Sequence, residues 1–456
     1  MKQNIMGKGR FWALILMIGF VGQLAWAVEN QYINLWVFSQ SQNAAYITWM
    51  TAASSVVATV ATFLIGALSD KLGKRKLFIS LGYTIWGVFV FAFALMSLSN
   101  MKALAGGDLM TALLLVGIAN VIIDCLMTFF GSSANDACFN AWVTDNTNEH
   151  NRPLVESILS VLPLIATAAM VVLGGVLGLE KETDPNAIEE TASSVAGNWL
   201  IFFLIFGALT TIVGILCFFL MPKDNLEPKR ENYFKSLAKG FTPSSIKSYP
   251  DFYIALIAFL FFNTAVNSFM PYYLVYFTST LNLDNFYPAM AIILGGSMVI
   301  CVVFGFFMDK IGKLKLLIPG VVAMGLGALL LFFAQDAWWP AVLSATLMMT
   351  GYLIGTAVLG ATIRDETNTE AIGALQGVRM IFAVLIPMIV GSNISLAVFS
   401  NQTTSATGSV LYPDRNMFIV TAVAASLAII PSVFLIVRKV KRNNLEQAKK
   451  EESESE

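Results

Sequence analysis

Charge is scarce in this chain. Asp, Glu, Lys and Arg make up 12% of its 456 residues against 57% hydrophobic residues, and the mean hydropathy is +0.71. That composition excludes an ordinary soluble globular domain and reads as a polytopic membrane protein. Histidine is reduced to His150, and the four cysteines, Cys125, Cys138, Cys217 and Cys301, show no paired spacing. Neither a disulfide nor a metal site is therefore expected. The chain also has no G-x-x-x-x-G-K-[ST] loop to cradle a nucleotide phosphate, no G-x-S-x-G elbow and no histidine cluster. Direct ATP drive and membrane-embedded catalysis are disfavoured, and no cofactor is expected. The net charge of -1 carries no information about partners, and no nucleic acid is expected among them.

What the chain has is long apolar runs. A helix needs about 20 apolar residues to cross the hydrocarbon core. Runs of that length lie near 11-38, 44-68, 77-99, 109-142, 153-178, 198-221, 251-278, 288-308, 314-334, 338-363, 371-399 and 416-437. They are continuously apolar rather than alternating, so twelve helices are expected and not a membrane barrel. Cytoplasmic loops are enriched in Lys and Arg, and with the N-terminus inside 24 of the 28 basic residues fall in inner segments. Both termini are expected in the cytoplasm, with the chain in the plasma membrane. The first residues, a basic MKQNIMGKGR followed by an apolar run and Ala25-Trp26-Ala27, imitate a signal peptide. Retention is expected, because its loss would leave an odd number of spans.

The chain repeats itself. GALSDKLGKRK at 66–76, after the second run, is echoed by GFFMDKIGKLK at 305–315, after the eighth. AWVTDNTN at 141–148, after the fourth, is echoed by ATIRDETN at 361–368, after the tenth. Two six-span halves are expected, 1-221 and 251-437, joined by a charged cytoplasmic loop at 222-250 and followed by a tail at 438-456. Parallel repeats of this kind are one transporter design, with the solute site between the halves.

The loop at 66–76 and its weaker copy resemble the signature loop of the major facilitator superfamily, and twelve spans with a central loop extend that resemblance over the whole chain. The run from Ala134 to Arg152 resembles the glycoside-pentoside-hexuronide:cation symporter branch, with Cys138 and Thr144 standing where that branch carries proline. The resemblance implies an all-α fold of two pseudo-symmetric six-helix halves and transport of a sugar or glycoside by alternating access. It also implies a cytoplasmic gate at Asp70 and Arg152, with Gly66, Gly73, Arg75 and Asp145 in the same cluster and Asp309 and Asp365 as counterparts in the second half. The 180–198 segment is expected to be a solvated outer loop, and the tail to be disordered.

Carboxylates inside a spanning helix are costly and mark functional sites. Asn120, Asp124 and Thr128 form one i, i+4 stripe, continued by Ser132, Asp136 and Asn140. Asp136 sits where the sugar-symporter branch carries its sugar-binding residue, which makes it the first choice for solute contact. Asp124, twelve residues toward the outside, is the better candidate to hold a proton. Near the end of the first span Glu29, Tyr32 and Trp36 have spacings that place them on one face, where a carboxylate and aromatic rings could grip a sugar or simply mark the interface. Asn263 and Asn267 on the seventh span and Arg379 on the eleventh complete the expected solute contacts, Arg379 either pairing with Asp136 or Glu29 or snorkelling to the cytoplasm.

Sodium-coupled relatives of that branch carry carboxylates on the second span, and this chain has none between Tyr46 and Ser69. Proton coupling, through Asp124 and Glu29, is therefore favoured over sodium. The expected partners are a small solute, the proton and the lipid bilayer. An uncoupled facilitator or exporter of another small organic solute and a non-transporting membrane sensor stand as alternatives.

Overall fold

The computed structural model describes residues 8–147, 151–179, 188–224, 238, 240–281, 286–334, 337–367, 372–400, 402–405 and 408–455. Among these residues twelve helices are long and apolar enough to cross a membrane. They are span 1 (Gly9–Ser41), span 2 (Ala44–Leu72), span 3 (Arg75–Met96), span 4 (Leu109–Asn146), span 5 (Ile158–Leu177) and span 6 (Ile188–Leu220), followed by span 7 (Pro250–Thr280), span 8 (Phe286–Gly305), span 9 (Leu314–Phe333), span 10 (Trp338–Asp365), span 11 (Gly377–Val398) and span 12 (Asn416–Arg442). Each overlaps the apolar run from which it was expected.

Span ends follow local chemistry. The Asn43 side chain accepts from the amide of Ala45 at 2.9 Å and starts span 2, as N-caps do. Gly73, at φ +63°, ends it, while the amides of Gly73 and Lys74 bond back to Asp70 and Ser69. Only glycine takes that left-handed turn without strain.

The chain divides into two compact units. The first comprises Met1–Glu231, Met270–Tyr287 and Leu396–Asp414. Its spans 3 and 6 approach so closely that a methyl on Gly207 would stand 2.8 Å from the Gly87 carbonyl. Small residues at that crossing replace side-chain packing with backbone contact. Trp36, Trp199 and Phe203 form its aromatic core, the Trp36 ring 5.5 Å from each of the other two. A two-stranded hairpin, β1 (Gln402–Ser405) and β2 (Gly408–Leu411), belongs to this unit, where Leu411 bridges to Asn43 and Tyr412 packs 5.3 Å from Phe38.

The second unit comprises Asn232–Phe269, Pro288–Ser395 and Arg415–Glu456. Its spans 7, 11 and 12 are stitched by hydroxyls: Ser268 meets Thr421 at 2.7 Å and Ser395 donates to the Ser268 carbonyl at 2.6 Å.

Two sequence expectations are corrected. Residues from Ile188 onward are helical and begin span 6, because Ile188 and Ala192 bury against Leu98, Met101, Ala112 and Val116, while Lys102 pairs with Glu189 at 2.6 Å. The tail continues the last helix to Ser455. Arg438 and Arg442 bind Asp251 and Lys439 binds Glu366, which ties the last turn of span 12 to its neighbours.

Four π-helical turns interrupt the described spans, at Val28–Ile33, Ser132–Phe139, Tyr276–Thr280 and Ile381–Leu385. Such turns widen the helix by one residue and recur at functional sites. Span 7 is further broken by a 3-10 turn at Met270–Tyr272, around Pro271, where the ring removes a backbone donor.

Candidate functional site

Glu29 sits in the π turn of span 1 and is buried. Thr128 of span 4 donates to its Oε1 at 2.8 Å, while Oε2 has no hydrogen-bond partner. Asp124 lies one helical turn away on span 4, 1% exposed, with Oδ1 equally unpartnered. Span 2 packs along span 4. Asn120, fully buried, donates to the Val116 carbonyl at 2.8 Å and leaves its own Oδ1 unpartnered. Spans 1, 2 and 4 of the first unit thus enclose two carboxylates, and neither makes an ion pair among the described residues.

Asp136 occupies the π turn of span 4 and is half-buried. Its Oδ1 accepts from Asn135 Nδ2 at 3.0 Å, and Asn135 Oδ1 accepts from the Tyr83 hydroxyl at 2.9 Å. Tyr83 also lies 3.1 Å from the Ile18 carbonyl of span 1. Asn140 is exposed and donates to the Asp136 carbonyl at 3.1 Å. The sequence singled out Asp136 and Asn140 but not Asn135 and Tyr83, which the structure joins to Asp136 and which lie off the i, i+4 stripe. The adjacency of an amide to the carboxylate was the available signal.

The single face expected for Glu29, Tyr32 and Trp36 does not form. Tyr32 donates to the Met170 carbonyl at 2.9 Å on span 5, and Trp36 stacks toward Trp199 on span 6, while Glu29 turns to span 4. The π turn at Val28–Ile33 adds a residue to the turn and separates the carboxylate from the rings.

In the second unit Asn263 donates to the Ala383 carbonyl at 2.7 Å, inside the π turn of span 11, and Asn267 donates to the Asn263 carbonyl at 2.8 Å. Each amide gives one of its two N–H donors to backbone, which fixes its direction. Arg379, half-buried, precedes that π turn by two residues.

The signature loop is organised by Arg75, which is 5% exposed. Its guanidinium binds Asp70 and Ser69, and Asp145 at 3.3 Å. Arg152, the partner expected for Asp70, instead binds Thr147 Oγ1 and the Thr144 carbonyl, both at 3.1 Å. Arg75 lies five residues from Asp70 and reaches it within its own loop. Gly66 is not needed for close approach, since a methyl there would sit at an ordinary 3.8 Å from Ala137. Nearby, Asp224 accepts from the Lys76 amide at 3.1 Å, and burial pushes its carboxyl up against the pull of these partners.

In the second unit the side chain of Asp309 lies outside the described residues, and Asp365 is exposed at the end of span 10. Its neighbour Glu366 takes the ion pairs: burial opposes its ionisation, but Lys439 and Arg442 outweigh burial and hold its carboxyl below the usual range.

Twelve apolar helices carrying buried carboxylates define an all-α polytopic integral membrane protein. The chain belongs to the Major Facilitator Superfamily, whose family model matches residues 10–392. No curated protein matches it. Solved structures do. A mutant of the nucleoside transporter NupG aligns with TM-score 0.62 at 13% identity, over 93% of this chain and 99% of that one. The xylose transporter XylE from E. coli, in a partially occluded inward-open conformation, aligns with TM-score 0.61 at 12% identity, over 93% and 98%. The proton:xylose symporter XylE bound to 6-bromo-6-deoxy-D-glucose aligns with TM-score 0.62 at 14% identity, over 94% and 96%. At these identities the likeness is one of fold.

Proposed function

We propose that this chain is a secondary active transporter, not an enzyme, that moves a small hydrophilic solute, a sugar or glycoside, together with a proton across the plasma membrane. Two six-span halves, 1–221 and 251–437, rock around the solute by alternating access, with both termini in the cytoplasm. The observation that carries this reading is the Glu29 and Asp124 pair: two enclosed carboxylates with unpartnered oxygens and no counter-charge among the described residues. Two like charges at that depth are costly, so the pair is a place where a positive charge is taken up. Asp136, half-buried in the π turn twelve residues further along the same span, is the solute contact, with Asn140, Asn263, Asn267 and Arg379 as further contacts. The sugar reading draws on the Ala134 to Arg152 resemblance and on XylE, a xylose transporter. Gating is assigned to the loop cluster of Asp70, Gly73, Arg75 and Asp145, with Arg152 capping the end of span 4 and Asp365 as a counterpart.

The test is uptake into proteoliposomes of a panel of sugars, glycosides and nucleosides, with and without an inward proton gradient. Accumulation of one solute above equilibrium only with the gradient supports the reading. Uptake indifferent to pH but abolished without sodium would overturn the choice of ion. Binding without accumulation or exchange would favour the sensor.

A further inference from the structure

The chain of hydrogen bonds behind Asp136 is fully enclosed. Tyr83 is 0% exposed and Asn135 5% exposed. Together they connect three helices: the Ile18 carbonyl on span 1, the Tyr83 hydroxyl on span 3, and the Asn135 amide on span 4, which ends on Asp136 Oδ1. Of the two orientations an amide can take, only one presents its N–H to a carboxylate and its oxygen to a hydroxyl donor. The acceptor-only carboxylate draws the Asn135 N–H and so turns Asn135 Oδ1 toward the single Tyr83 hydroxyl proton, which the Ile18 carbonyl shares; that bond braces Asn135, and Asn135 holds Asp136. The packing leaves no slack, since a methyl on Gly22 of span 1 would stand 2.6 Å from Asn135 Oδ1.

We propose that Tyr83 and Asn135 are positioning residues that hold Asp136 as a one-sided hydrogen-bond acceptor and thereby set a preference for solutes that present a hydroxyl donor at one position. With Oδ1 committed to Asn135, Oδ2 is the oxygen left for the solute. A carboxylate oxygen held in one direction accepts from a solute O–H and repels a C–F group placed there. A site built to bond a hydroxyl rejects an analogue lacking it far more strongly than an apolar pocket does. Released from Asn135, the carboxylate rotates about its own side-chain bond and the distinction weakens. The inference rests on Asp136 contacting the solute, as proposed above.

The test uses the full chain in proteoliposomes, with D-xylose, D-glucose, methyl β-D-glucoside and uridine as probes. For each transported probe, every monodeoxyfluoro derivative competes for uptake. Four forms are compared: wild type, Asp136→Asn, Tyr83→Phe and Asn135→Ala. In the wild type, fluorination at one position weakens competition by roughly a hundredfold or more, and at the others by much less. Tyr83→Phe deletes one oxygen from a packed ring, keeps the chain folded, and lowers that discrimination about fivefold, the net worth of one neutral hydrogen bond. Asn135→Ala lowers it at least as far. A wild-type position preference that survives both substitutions unchanged overturns the positioning role while leaving Asp136 in place. Unchanged discrimination in Asp136→Asn, or no uptake of any probe by the wild type, overturns the reading on which it rests.

Discussion

At the scale of single residues, Glu29 and Asp124 differ from the other acids among the described residues in being enclosed with one carboxylate oxygen each that has no hydrogen-bond partner. Asp124→Asn keeps shape and removes the charge. It is expected to abolish gradient-driven accumulation while leaving solute exchange across the membrane within a fewfold of wild type, measured as counterflow in proteoliposomes. Loss of both together would place Asp124 in solute binding instead. Tyr32 makes the opposite case. Its hydroxyl is spent on the Met170 carbonyl, so Tyr32→Phe should lower thermal stability by about 1 kcal/mol, the net worth of one hydrogen bond, with the transport rate unchanged. A change in solute affinity would return Tyr32 to the site. Both acids were legible in the sequence because a charge in an apolar run stands out. The environment of Tyr32 was not, because an aromatic at a span end reads equally as interface anchor, sugar platform or packing.

At the scale of elements, the π turns decide what the side chains meet. No residue type encodes the slip from i+4 to i+5 bonding, so the turns at Val28–Ile33 and Ser132–Phe139 were invisible in the sequence, and the i, i+4 stripes drawn through them lost register. The start of span 6 was missed for a different reason. Ile188, Ala192 and Val195 have helical spacing and are buried, but the surrounding acids masked the pattern. The ion pairs at the end of span 12 yield a pH prediction. The carboxyl of Glu366 is held below its usual range in the folded chain, so its contribution is present at neutral pH and lost as pH falls through that depressed value. Glu366→Gln should therefore cost about 1 kcal/mol at pH 7, with the gap to wild type closing toward pH 3, followed by thermal unfolding in detergent. An equal gap at both pH values would show that Lys439 and Arg442 do not stabilise through this charge. The crossing of spans 3 and 6 has no such tolerance: Gly207→Val places methyl groups against the Gly87 carbonyl, 2.8 Å from a β-carbon. Overpacking of that kind costs about 1–3 kcal/mol or more, and folded yield by size exclusion should fall sharply.

At the scale of the whole molecule, the twelve spans were legible because hydropathy is a coarse signal that survives any detail of packing. The superfamily loop at 66–76 gave the family, and the match over residues 10–392 bears it out. The internal wiring of that loop was less legible. Asp70 was expected to meet Arg152, but Arg75 is five residues away and takes both Asp70 and Asp145. The central claim is that solute and proton cross together, and proton movement driven by solute alone tests it most directly. Proteoliposomes with equal pH on both sides and no sodium are given an inward solute gradient, with a pH-sensitive dye in the lumen. Acidification of the lumen that tracks solute entry, and that Asp124→Asn abolishes, is the result this account predicts; solute entry with no change in luminal pH would contradict it.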